Sequence, residues 1–238
     1  PMTRELAESK KMMADTGGGK FGALVTRVYP QSPAAAAGVK EGWVLLSVNQ
    51  AGKSMPMKVE LEESDSAYRS EFPWDRLDEV PAEYMDRIPT PWPSAENAFV
   101  QGLTQLGIGT KVSAAFVADG GKVEKPLVIA LAPPTYESAP SFKWKEAGIS
   151  VCDLTYEVRD YLGLAPDAPG VVVCRVESGG KAVTAGIRPF EVITQVNDKP
   201  VTSAKAFEKQ VGGVSDVRLN VKRMTKDRVV AFALPPAK

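Results

Sequence analysis

The chain has 238 residues, 44% of them hydrophobic, and its 29 basic and 29 acidic side chains cancel to a formal charge of zero. Neutrality gives no global steering toward nucleic acid or an anionic membrane. The strongest apolar runs, such as residues 127–132, are strand-sized and far short of a bilayer span. Histidine is absent, which removes histidine triads, histidine general bases and the commonest zinc ligand sets together.

Residues 2–15 read as a short helix carrying Leu6, Met12 and Met13, polar rather than built like a secretion leader. Thr16-Gly17-Gly18-Gly19-Lys20 breaks it. That run lacks the spacing of a phosphate loop and has Phe21 where a metal-binding hydroxyl belongs, so it reads as a turn. Residues 23–28 form a strand. Pro30-Gln31-Ser32-Pro33 then admits a short alanine-rich helix over 34–37, which Gly38 ends. Residues 43–48 are the next strand, and Asn49 opens a turn.

From residue 51 to 90 ten acids face five bases, with Tyr68, Phe72, Trp74, Tyr84 and Trp92 interleaved or following. So many rings argue against disorder. The segment is expected to drape over the body of its own domain. A helix containing Phe99 and Leu103 follows, then a strand over 111–118, an Asp119-Gly120-Gly121 hairpin turn and a strand over 127–131. Pro133-Pro134 opens a connector over 135–145, whose Tyr136, Phe142 and Trp144 suggest a linker packed against something. Residues 149–153 read as a strand and 155–162 as a helix capped by Thr155 or Asp153. The chain closes with strands over 170–176 and 192–196, a helix over 203–211, and strands over 217–222 and 229–234 around a turn near 225–227. Cys152 and Cys174 fall in strands. They are too few for a structural zinc site, and a buried pair of small hydrophobes is the first expectation, with a disulfide as the alternative.

The chain says nearly the same thing twice. Gly22-Ala23-Leu24-Val25-Thr26-Arg27-Val28 returns 148 positions later as Gly170-Val171-Val172-Val173-Cys174-Arg175-Val176. Ala37-Gly38-Val39 returns as Ala185-Gly186-Ile187, and Leu46-Ser47-Val48-Asn49 as Thr194-Gln195-Val196-Asn197. Such self-similarity marks a duplicated unit. Beyond it the helix of Phe99 and Leu103 matches that of Phe207 and Val211 at a shorter offset, so about 40 residues are inserted in the first copy.

Val25-x-x-Val28-x-Pro30-x-Ser32-Pro33-Ala34-x-x-Ala37-Gly38-Val39-x-x-Gly42 resembles the core signature of a bacterial-type PDZ domain. Val173-x-x-Val176-Glu177-Ser178-Gly179-Gly180-Lys181-Ala182-x-x-Ala185-Gly186-Ile187 resembles it again, followed by the usual acidic residue, strand and asparagine at 191–197. In the first copy Trp43 stands in place of that acidic residue. The tandem arrangement is similar to the region that follows the trypsin-like domain of HtrA/Deg-type serine proteases. The resemblance implies an α+β, mainly β fold: two PDZ domains, each a small, partly open antiparallel barrel or sandwich with two helices. The expected boundaries are 1–134 for the first domain with its insertion at 50–92, 135–146 for a linker, and 147–238 for the second domain.

PDZ domains bind extended peptides, usually free C-termini, by letting them add to a sheet edge beside a helix. The resemblance makes Ala147, Gly148 and Ile149 the carboxylate loop, with Gly148 letting the backbone come close. Ile149, Ser150, Val151 and Cys152 would be the strand that receives the peptide, alternating sides. Ser203, Phe207 and Val211 would line the groove from one helix face, with Lys143 or Lys145 adding charge attraction. Ile149, Val151, Phe207 and Val211 would look the same as ordinary core. The histidine that selects a ligand Ser or Thr in eukaryotic-type PDZ domains is missing at Ser203. In the first copy the leading helix begins almost at residue 1, so the expectation there is a domain truncated at its N-terminal edge, an edge supplied from elsewhere, or a copy without a standard groove.

The resulting expectation is a non-catalytic, peptide-binding and regulatory module of an HtrA-like endopeptidase. The alternative is a stand-alone interaction scaffold. Peptides are the expected partners, with an upstream protease domain, and neither nucleic acid nor membrane insertion is expected. No cofactor or metal motif is present. A periplasmic or envelope location follows by the same analogy. Nothing positions Asp75 and Asp78 as an acid–base pair.

Overall fold

In the computed structural model, which describes residues 1–61, 72, 74–118, 121–224 and 226–234, the sequence repeat is a repeat in three dimensions. The side chains of Asp75, Ala82 and Asp86 lie outside this description, as do Tyr68, the Asp119-Gly120 pair and Thr225. The chain divides into two units, Pro1–Ser64 with Ser94–Ala132, and Asp65–Pro93 with Pro133–Lys238.

The first unit contains helix α1 (Arg4–Ser9), strand β1 (Ala23–Leu24), helix α2 (Pro33–Ala36), strands β2 (Val44–Gln50) and β3 (Met57–Lys58), helix α3 (Ala98–Leu106), and strands β4 (Lys111–Ala118) and β5 (Gly121–Val128). Its antiparallel sheet runs β1-β2-β4-β5, with β3 also on β2. The alternating burial of β2 and β4 aims Val44, Leu46, Val48, Val112, Ala114 and Phe116 inward, the pattern of a sheet with one covered face.

The second unit opens with two 3-10 helices, Trp74–Glu79 and Ala82–Arg87. It continues through β6 (Ser141–Trp144), β7 (Ile149–Asp153), α4 (Tyr156–Tyr161), β8 (Val171–Val176), α5 (Lys181–Thr184), β9 (Val192–Val196), β10 (Lys199–Pro200), α6 (Ala204–Val211), β11 (Asp216–Arg223) and β12 (Lys226–Ala233). The sheet order is β12-β11-β9-β8-β7-β6, with β10 also on β9. Both units are α+β, mainly β, PDZ-like folds with open sheets, and neither resembles a trypsin-like catalytic domain.

The duplicated positions do equivalent work. Helices α2 and α5 match residue for residue at the 148 offset, as do the starts of β2 and β9. Gly22 and Gly170 both have positive φ, and a Cβ on either would press on the equivalent valine, Val44 at 3.1 Å and Val192 at 2.6 Å. Position 43/191 diverges. Trp43 packs edge-on against Phe116 at 5.8 Å beneath the Lys125 ammonium. Glu191 is fully buried and is held by Arg223 at 2.5 Å, Arg228 at 2.6 Å and the Arg188 backbone N–H at 3.0 Å. A carboxylate at that depth requires such partners.

The insertion is divided: residues 57–58 pair with β2 in the first unit, whereas residues 65–93 fall in the second unit rather than in their own domain. Met85 enters the main core of the second unit. Trp92 is buried with Cys152, Val158 and Val172, edge-on to Tyr136 at 4.8 Å and Phe190 at 5.4 Å. Burial, aided by the Glu137 charge, pushes the Tyr136 phenol far above its ordinary range. Asp78 closes the charge cluster with a two-pronged bond from Arg223, at 2.6 and 3.0 Å, and an ion pair to Arg188 at 3.3 Å. The segment is therefore a strap over the second unit, fixed by a ring at one end and a carboxylate toward the other.

Cys152 and Cys174 form a disulfide, with Cα atoms 5.8 Å apart, in place of the expected free pair. Register explains it. Ser150 faces Arg175 and Val151 faces Val173, so Cys174 is the extra residue of a bulge and turns toward Cys152 on the neighbouring strand. The 22-residue separation leads to the expectation that replacing both cysteines with serine lowers the unfolding free energy by about 3 kcal/mol, read from urea titrations. A second expectation concerns the strap. The Arg223 hydrogen bond, with the Arg223, Arg188 and Arg228 charges, holds the Asp78 carboxyl below its ordinary value of 3.8. A lowered acid pKa stabilises fully above the ordinary value and loses that contribution as the pH falls through the lowered one. Acid titration followed by tryptophan fluorescence should therefore show a small loosening of the strap around Asp78 below pH 3.8, and Asp78→Asn should remove that step.

Candidate functional site

The residues singled out for peptide binding converge on one place, the angle between β7 and α6. Ile149 and Val151 point inward into the main core. Cys152 points to the opposite face, joining the cluster of Trp92, as strand alternation requires. Ser203 caps α6, accepting the Ala206 N–H at 3.1 Å. The Asp153 carboxylate accepts the Ala204 N–H at 2.6 Å and so ties the end of β7 to the start of α6. Asp153 thus caps α6 and not α4, whose N-cap position, Thr155, makes no side-chain cap bond. Phe207 and Val211 follow along the inner face of α6, both buried.

What the residues line is already occupied. Residues 141–144, read from sequence as linker, form β6 and pair antiparallel with β7: Ser141 opposite Cys152, Phe142 opposite Val151, Lys143 opposite Ser150 and Trp144 opposite Ile149. The pairing extends one step further through Asp153 N–H to Pro140 C=O at 2.9 Å. The edge of β7 away from β8 is therefore taken. Trp144 is 2% exposed and meets Phe207 edge-on at 5.5 Å and Phe232 at 5.9 Å. Phe142, two residues earlier on the same face, sits 6.3 Å from Phe207. Lys143, on the outer face, pairs with Glu177 at 2.6 Å. Phe207 is wholly buried because these two rings cover it.

Residues 145–148 join the two strands as a tight turn. Gly148 N–H is shared between the Trp144 carbonyl at 3.0 Å and the Lys145 carbonyl at 3.2 Å. Gly148 C=O accepts Glu177 N–H at 2.8 Å, and Ala147 C=O accepts Ala182 N–H at 3.0 Å. The turn is thus pinned to the loop before α5. Gly148 has φ +73°, and a Cβ there would lie 2.8 Å from Gly180 Cα. Both the left-handed conformation and the contact demand glycine. The signal that marks β6 in the sequence is the alternation Ser141-Phe142-Lys143-Trp144 ending near a glycine, which fits a hairpin arm as well as a linker.

Among the described residues no group of three or more Cys, Asp or Glu side chains is placed to hold a metal. No helix among them is long and apolar enough to cross a membrane.

No family model matches the chain. It is similar to proteins named probable periplasmic serine endoprotease DegP-like: 28% identical to that of Chlamydia trachomatis over 86% of this chain and 32% of the relative. The Chlamydia muridarum protein is 29% identical over the same shares. The Pseudomonas fulva protein is 26% identical over 98% of this chain and 41% of the relative. The crystal structure of the HtrA3 PDZ domain bound to a phage-derived ligand overlaps 42% of this chain and 91% of that one, with 22% identity and a TM-score of 0.34. The chain resembles DegP-like endoproteases. It spans about a third of the length of the first relatives.

Replacing Gly148 with alanine is expected to destabilise the second unit by about 1–3 kcal/mol, from the left-handed φ and the Gly180 contact together. The urea midpoint checks it, with Gly179→Ala, where a Cβ meets open space, as the comparison that keeps only the φ cost.

Proposed function

We propose that the chain is a non-catalytic peptide-recognition and regulatory module, acting with or within a DegP-like endoprotease. Recognition occurs by addition of an extended segment to β7 beneath α6. One observation carries this reading: a strand does lie there. It is antiparallel to β7, its final carbonyl is bonded to the Gly148 N–H, and its aromatic face is on Phe207. Strand addition draws affinity from main-chain hydrogen bonds and specificity from alternate side chains, and β7 with α6 supplies both. A free C-terminus would bring a carboxylate to the position of the Trp144 carbonyl, where the turn offers an N–H.

The similarity to DegP-like proteins, across nearly the whole of this chain, supports an association with a protease domain. A periplasmic or envelope location accords with the names of those relatives and with a disulfide, which persists in oxidising compartments. The second reading is a stand-alone scaffold, and the same site would serve it.

Titration of the chain with a library of free C-terminal peptides and their amidated counterparts, followed by backbone amide resonances, tests the reading. Carboxylate-dependent shifts concentrated on residues 148–153 and α6 are expected. A library that leaves those amides unmoved would overturn it.

A further inference from the structure

We propose that Ser141–Trp144 is a built-in occupant of the peptide site, and that the ligand able to displace it is an extended peptide with aromatic side chains two residues apart. The inference rests on the recognition mode proposed above and specifies its regulation and its ligand.

Three observations carry it. The first is direction and register. β6 runs antiparallel to β7 and ends at the turn, with Trp144 opposite Ile149, so it lies as an added ligand strand would lie. The second is chemistry. The Trp144 carbonyl holds the Gly148 N–H, and the Trp144 and Phe142 rings cover Phe207. An alternation of aromatic inward and polar outward is therefore the pattern that fills this groove. Ser141 and Lys143 face outward and set no such requirement. The third is attachment. On its outer face Lys143 is tied to Glu177 by an ion pair between half-exposed groups, which solvent weakens. Residues 145–148 tether the strand at its turn end, and a short tether gives a local concentration on the order of millimolar. A free peptide making the same contacts must compete with that strand, and its apparent affinity is its intrinsic affinity multiplied by the fraction of time the strand is away.

The test uses the full chain in three forms and one probe, the free-carboxylate peptide Ser-Phe-Lys-Trp with an acetylated N-terminus. The opened form carries Phe142→Ser with Trp144→Ser. The closed form carries Lys143→Cys with Ser150→Cys, a facing pair whose cross-link leaves the core rings in place. The opened form should bind the probe at least roughly tenfold tighter than the native chain, and the closed form should lose the native chain's binding. Removing two core rings lowers the melting temperature of the opened form, and the probe should raise it again, which keeps that form informative. Equal affinity of native and closed forms, or no gain in binding or melting temperature in the opened form, would overturn the occupant. In those cases binding by the native chain preserves peptide recognition. Absence of binding by all three forms would overturn recognition at this site as well.

Discussion

The second unit depends on strand β7 having both edges satisfied. Its N–H and C=O groups pair with β8 on one side and with β6 on the other. A buried strand cannot leave either row unpaired without a large desolvation cost. The same strand carries Ile149 and Val151 into the core, Cys152 into the disulfide and Asp153 onto the N-terminus of α6. Five residues therefore link sheet, helix and covalent cross-link. A strand so placed can accept a ligand only by exchanging one partner for another. That constraint gives the site its character.

A second constraint is the buried Glu191. Three arginines converge on it, Arg223 and Arg228 by side chain and Arg188 by backbone N–H with its guanidinium on the adjoining Asp78. Removing one member of such a set leaves a charge without compensation. The cluster has a topological consequence too. Asp78 comes from a segment that, in sequence, interrupts the first unit, so the strap is recruited by charges that exist only once β9, β11 and β12 are assembled. In the first copy Trp43 at the equivalent position packs on Phe116 and offers no charge for a strap to meet.

The two copies also differ in what covers the groove helix. In α6 the inner residues Ala204, Phe207 and Val211 are buried, and in α3 none is. In the second unit Phe142 and Trp144 of the β6–β7 hairpin pack on Phe207 of α6, which is why the residues expected to line a groove read equally well as core.

Much was determined by the sequence alone. Local signals located β4, β7 and α6 to within a residue or two and placed Phe99 and Leu103 on a helix, α3, because those signals act over a few neighbouring residues. The duplication was legible for the same reason: a glycine such as Gly170 is demanded by one close contact and repeats wherever the contact does. The inward set of Ile149, Val151, Phe207 and Val211 was equally readable from periodicity. Tertiary structure alone decided three things. It paired Cys174 with Cys152, because a bulge re-aims one residue in a way that no local pattern encodes. It gave the strap to the second unit, because ion pairs between Asp78 and Arg223 span 145 positions. And it turned a linker into the strand that fills the groove, because an edge strand is defined by the neighbour that offers it hydrogen bonds, not by its own residues.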